Sequence, residues 1–330
     1  MKRILFLAAC CLSLPSCDKA KEIASKAQVA VEEVKADLTD RVNARDTEIA
    51  PDADLQPLVD HTAEGYLFRK DLPFPSHLTV RVVEKSRIKG RYFESSLLGS
   101  GGVPISGEFE NRRELELRSG MISVTSRDRT FIPDNLPEGK DPEEAKKVVR
   151  KGAKKDFVRK DGKWTPSGTA RDFSSMVAAG TDPGQGFSDD CIMPRPFWFG
   201  KKRLQSGDEV VLSGPHLAMV GFQGATGEIR LKFIGPEAVG GHPCGAFSLS
   251  GLVDSAGSGL LGDDVKEGRI SISSGKLWFS LIHPVVLKEE WDAVITAKSG
   301  DGKSLSSQLQ GSAAMRVERE WAPGFPSGPR

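Results

Sequence analysis

Histidines, cysteines and paired carboxylates are the side chains of this sequence whose types could do chemistry. His216, His242 and His283 each sit beside or next but one to a proline at strand edges. A histidine works as a general base only with a partner held within hydrogen-bond reach. None recurs at fixed spacing here, so a structural role is expected for each. Asp189-Asp190, Asp263-Asp264 and Glu289-Glu290 could supply a general acid and base, but all three lie in Gly- and Lys-rich turns where carboxylates are usually just solvated. His61 and Glu64 would come together only on a helix, which their neighbours do not support. There is no G-x-S-x-G elbow, phosphate-binding glycine loop, H-E-x-x-H or calcium-loop spacing. No catalytic residue, cofactor or metal is therefore assigned.

The five cysteines divide by position. Cys10 and Cys11 lie in an apolar run from Ile4 to Leu14, broken only by Ser13 and preceded by Lys2 and Arg3. This is the pattern of a secretory signal, and it is too short for the roughly 20 apolar residues that a membrane-spanning helix needs. Its end, Leu14-Pro15-Ser16-Cys17, resembles the lipobox of bacterial lipoproteins. The resemblance implies that residues 1–16 are removed and that Cys17 is lipidated and becomes the mature N-terminus, facing the periplasm or cell exterior. An ordinary cleaved signal is the alternative. Asp18 resembles the inner-membrane retention signal of enteric bacteria; the leaflet is left open. Cys191 and Cys244 remain, and an even pair in an oxidising compartment predicts one disulfide, the alternative being two small buried thiols. Their neighbours Asp190 and His242 match no zinc spacing.

The chain has a net charge of +1, and removing Lys2 and Arg3 leaves 1 − 2 = −1. That balance gives no global field for nucleic acid. Residues 18–44 carry Ile23, Ala27, Val31, Val34, Leu38 and Val42 in one helical stripe, with Glu22 and Lys26, Glu32 and Lys35, and Asp37 and Arg41 at helix spacing. This predicts a helical tether that runs into an acidic, proline-containing linker up to residue 60.

From residue 61 the period becomes twofold. Leu78, Val80 and Val82, Leu115 and Leu117, and Ile229, Leu231 and Phe233 alternate with polar residues, the mark of half-buried strands. Ser119-Gly120 and Ser274-Gly275 read as hairpin loops. Further strands are expected at 65–70, 91–97, 209–212, 217–221, 246–253, 293–297 and 313–320. The prediction is a mainly β fold, an antiparallel sandwich or barrel-like set of sheets over 61–322. Whether it is one domain or two halves, 61–163 and 164–322, is open. The tail 323–330 reads as disordered.

Two interruptions carry the candidate contacts. Asp141-Pro142-Glu143-Glu144 reads as the start of an inserted helix running through Lys147, Arg150, Lys151 and Lys154. From Lys140 to Lys163 there are ten bases and five acids. These cations could meet an anionic lipid or glycan; the plainer reading is a solvated helix face. Phe197, Trp198 and Phe199 end a Gly- and Pro-rich passage and could contact an apolar or glycan ligand, or simply cap the β core. The function expected is a non-catalytic envelope lipoprotein that binds another envelope protein, peptidoglycan or a glycan. A carrier of an apolar ligand in a β cavity is the alternative, since anchor plus β body is similar to the lipoprotein-handling proteins of the outer membrane. A hydrolase is a weaker one.

Overall fold

Alternation over 228–234 becomes strand β11 (Thr226–Val239), with Ile229, Leu231 and Phe233 buried and Arg230 and Lys232 exposed. The computed structural model describes residues 54–96, 99–118, 120–136, 139, 141–160, 163–167, 191–254, 265–300 and 305–323. Cys17, the tether, Asp189-Asp190, Asp263-Asp264 and the tail lie outside them.

The other strands are β1 (Asp60–Thr62), β2 (Gly65–Leu67), β3 (Leu78–Ser96), β4 (Gly99–Arg118), β5 (Met121–Ser126), β6 (Arg129–Pro133), β7 (Lys147–Arg150), β8 (Ala153–Lys160), β9 (Lys163–Pro166) and β10 (Glu209–Ser213), then β12 (His242–Asp254), β13 (Val265–Ser280), β14 (Val286–Gly300) and β15 (Leu305–Pro323). β1 and β2 form a small hairpin; the rest join one antiparallel sheet of 13 strands in the order β10-β11-β12-β13-β14-β15-β3-β4-β5-β8-β9, with β6 paired to β4 and β7. The return of β15 to β3 sets the last strand beside the third, from Leu305 against Ser96 to Pro323 against Leu78.

Four sequence expectations are corrected. The sheet is open, because its end strands β10 and β9 do not pair with each other among the described residues. At five and four residues they are too short for the staggered register of a closed barrel. Ser274-Gly275 is no hairpin: β13 runs through it, and the register shift between Ile272 and Ser274 is a bulge. Residues 217–220 belong to a 3-10 helix, Gly214–Val220, with Pro215 in its first turn and Gly221 closing it at φ +86°. The inserted helix is also absent. The Asp141 carboxylate accepts the Glu143 N–H at 2.9 Å and the Asp141 carbonyl accepts from Glu144 at 3.1 Å, but this turn stops and β7 follows. Val148, Val149 and Gly152 favour a helix poorly. The open edges of β5 and β6 offer continuous pairing instead, and β8 buries Phe157.

Two buried clusters share β12. Phe247 and Leu249 join Phe68, Phe199, Phe233 and Phe279, whereas Cys244 and Ala246 join Leu78, Val80, Leu115, Trp278 and Val317. Because successive strand residues point to opposite faces, this strand is covered on both sides. Across β3 and β15, Gly90 faces Gly311. A Cβ on Gly90 would lie 2.3 Å from the Gln310 carbonyl oxygen, and one on Gly311 2.5 Å from that of Lys89, so only glycines allow this approach.

Candidate functional site

The expected basic residues stand on a bent pair of edge strands. β6 and β5 are two arms of one path either side of Arg127-Asp128, and β7 and β8 are the matching arms either side of Lys151-Gly152. Asp128 fixes the bend by accepting the Gly152 N–H at 2.7 Å and the Lys151 ammonium at 3.0 Å. The Gly152 bond first, and then Lys151, hold the Asp128 carboxyl below its ordinary range. On β7, Lys147 lies opposite Phe131 and Val148 opposite Thr130.

All four residues of β7 are exposed, with Val148 at 48% and Val149 at 51%. Lys147, Arg150 and Lys154 have no ion-pair partner among the described residues, while Lys151 pairs with Asp128. Among the described residues β7 pairs only with β6, while β9 covers β8 from Phe157 to Lys160 and the Ser167 N–H donates to the Asp156 carbonyl at 2.7 Å. Among the described residues, the outer edge of β7 is therefore unpaired, and cations line it and the bend that follows. The two valines were the sequence signal for a strand, since β-branched residues suit a pleated surface better than a helix.

Phe197, Trp198 and Phe199 lie at the opposite end of the sheet, where they pack into rings. Phe199 stacks on Phe247 at 5.2 Å between centroids and 14° between planes, and meets Phe68 at 4.4 Å. Trp198 meets Phe279 edge-on at 5.5 Å, and Phe197 meets His216 at 5.0 Å. The space behind Phe199 is filled by Phe68, Phe247 and Phe279. Two surface concavities lie elsewhere. One, of about 250 Å³, is bordered by His61, Tyr66, Gln205, Phe233 and Pro236; the other, of about 480 Å³, by Asp254, Glu267, Arg269, Thr296 and Lys298. In the second, both acids are tied up in ion pairs, Asp254 with Arg269 at 3.0 Å and Glu267 with Lys298 at 2.9 Å. Neither joins a histidine to a carboxylate, as a hydrolytic cleft would need.

A serine and a histidine do meet inside the second core. Ser280 Oγ lies 2.7 Å from His242 Nε2, and both residues are buried. The same oxygen accepts the backbone N–H groups of Ile282 and His283 at 3.1 Å. Its proton therefore goes to His242, and its lone pairs hold the turn between β13 and β14. This Ser280 is a turn lock, with no exposed oxygen to act as a nucleophile. Trp321 lies between His242 and His283, at 4.6 and 5.1 Å. Burial lowers His242 to about 3, helped by His283. Burial and then Arg69 lower His283 to about 4, against the opposing effect of Asp71.

Cys191 and Cys244 share the second core, both buried and unbonded to each other in this structure. The Cys191 thiol donates to the Val286 carbonyl, and Cys191 takes a left-handed φ of +63°. Burial first, and then the nearby Cys191, push the Cys244 thiol up. Among the described residues no cluster of three or more His, Cys, Asp or Glu could hold a metal ion, and no helix is long and apolar enough to cross a membrane.

No family model and no curated protein matches the chain. Among solved structures it is similar to a DUF1329 family protein from Desulfovibrio piger, at 7% identity over 78% of this chain and 88% of that one, with a TM-score of 0.13. A protein described as a lipoprotein from Parabacteroides distasonis shares 12% identity over 75% and 97%, with a TM-score of 0.19. One described as an outer membrane lipoprotein-sorting protein domain from Vibrio parahaemolyticus shares 9% over 76% and 87%, with a TM-score of 0.12. These TM-scores are too low to assign a shared fold or to transfer a function.

Proposed function

We propose that this chain is a bacterial envelope lipoprotein, anchored through Cys17, whose β body is a non-catalytic binding module. The body meets an anionic partner, namely a membrane surface, another envelope protein or an envelope glycan, through the edge formed by β7 and β8. The observation that carries this reading is the edge itself. Lys147 and Arg150 on β7 and Lys154 on β8 are exposed and have no ion-pair partner among the described residues. A solvated helix face would spread its charge around a cylinder, whereas a strand aligns it along one line and concentrates the field.

Cys17→Ser should release the protein from membranes into the soluble fraction; retention after a salt wash would remove the anchor. Cosedimentation with vesicles containing phosphatidylglycerol should fall when Lys147, Arg150, Lys151 and Lys154 are all changed to Gln, and steeply as salt rises. Binding that is unchanged in this variant would dispose of the basic edge. In the exported protein Cys191 and Cys244 are expected to be oxidised to one disulfide, supported by their burial in one cluster and the influence of one thiol on the other. Peptide mapping without reductant should recover the two in one linked fragment, and two alkylatable thiols would sink the bond.

A further inference from the structure

The chemistry of the edge narrows the kind of partner. We propose that this edge takes up an extended acidic polypeptide segment as an added strand of the sheet; the proposal rests on β7 and β8 being the binding surface.

A β-strand edge presents N–H donors and C=O acceptors in alternation. Lipid phosphates and carboxylates offer acceptors only, so they satisfy half of that edge at most. Another peptide backbone satisfies all of it, which is the basis of recognition by strand addition. Among the described residues nothing pairs with the outer side of Lys147–Arg150, whereas beyond the Lys151-Gly152 bend β8 is covered from Asp156 onward by Ser167 and β9. An exposed strand edge is usually blunted by lysines that prevent self-association, and Lys147, Arg150, Lys151 and Lys154 do so here: two copies would set like charges opposite one another. The same charges select a partner of opposite sign.

The valines add a second requirement. Val148 and Val149 sit where the β6–β7 register shifts, Thr130 facing Val148 and Arg129 facing Arg150, and both are about half exposed. Purely solvating edge residues would not include them. An incoming strand thus finds two exposed apolar side chains, flanked by cations at Lys147 and Arg150. The partner that fits is an extended segment mixing Asp or Glu with β-branched residues, unlike either a bare polyanion or a second copy of this chain.

The probe is a capped, fluorescently labelled octapeptide of alternating Glu and Val, titrated against the mature full-length chain and followed by anisotropy. A second peptide of the same sequence carries N-methyl groups on alternate amides on the edge-facing side; its charge is unchanged but its donors are gone. Strand addition predicts saturable binding of the first peptide, weakened about tenfold or more by N-methylation and by Lys147→Glu with Arg150→Glu. Because the N-methylated peptide needs no protein variant, the result stands even if the double variant folds poorly. Equal binding of both peptides would overturn strand addition and leave charge alone. Binding to phosphatidylglycerol vesicles but to neither peptide would also overturn it, while the anionic-contact reading of the edge would survive. Binding to neither peptides nor vesicles would remove both.

Discussion

Two imidazoles are buried where protonation would be costly. His242 and His283 flank Trp321, with Phe74 at 5.6 Å from the His283 ring. Neither ring nitrogen of His283 has a hydrogen-bond partner among the described residues. The charged groups that act on His283 are Arg69 and Asp71, which pair with each other at 2.7 Å, and Arg195 donates its backbone N–H to the neighbouring Pro284 carbonyl. Both histidines titrate lower in the folded chain than at their ordinary 6.5, so the unfolded chain binds more protons below that pH. Stability is therefore full above about pH 6.5 and falls as the pH drops toward 4, by roughly 2 kcal/mol per ring at pH 5. Urea midpoints measured from pH 7.5 to 4.5 should show this slope. His283→Leu should flatten it and leave stability at pH 7 unchanged or higher, since it removes an unsatisfied buried group. A steeper acid limb in that variant would show that the ring is not what titrates.

Among the elements, the pairing of β3 with β15 and the ring cluster under Phe199 are the sensitive places. Gly90→Val or Gly311→Val drives a branched side chain into an opposing backbone carbonyl, at an expected cost of about 2–3 kcal/mol by chemical denaturation. Gly120 is the control: its φ is +72° at the β4–β5 turn, but nothing lies within 4 Å of an added Cβ. Gly120→Ala should cost only about 1 kcal/mol, the strain of the left-handed backbone alone. Equal losses at the two sites would mean that close approach is not what the paired glycines provide. Phe199→Ala should cost about 3–5 kcal/mol as a core truncation. A loss below about 1 kcal/mol would instead identify the loop as a loosely seated cover and revive a carrier.

The described residues fall in one compact unit, Asp46–Arg330. Within it β15, last in the chain, lies between β14 and β3 and bonds to both along its length. Unfolding that stripped β15 away would expose two sheet edges at once. A single cooperative thermal transition is therefore expected, with calorimetric and van't Hoff enthalpies agreeing. Two resolved transitions would show that the sheet behaves as two halves joined at β15 and β3.

Most of the strands were legible in the residues alone, because twofold alternation such as Ile229, Leu231 and Phe233 follows directly from the pleat. So was the turn at Gly120, where a short loop needs a left-handed residue. What each strand pairs with was settled only in three dimensions. Alternation says which residues face a core, and nothing in it reveals that β15 returns to β3 or that β8 skips past β6 and β7 to reach β5. Ambiguous stretches were decided the same way. Residues 141–155 carry helix-start chemistry, yet 147–150 pair with β6 and 153–158 with β5 because waiting strand edges reward every backbone group, while an isolated basic helix gains little beyond its own hydrogen bonds. The basic residues of the candidate site were legible as a run of Lys and Arg. Their placement on an unpaired edge was not, since an edge is defined by the strand that does not arrive.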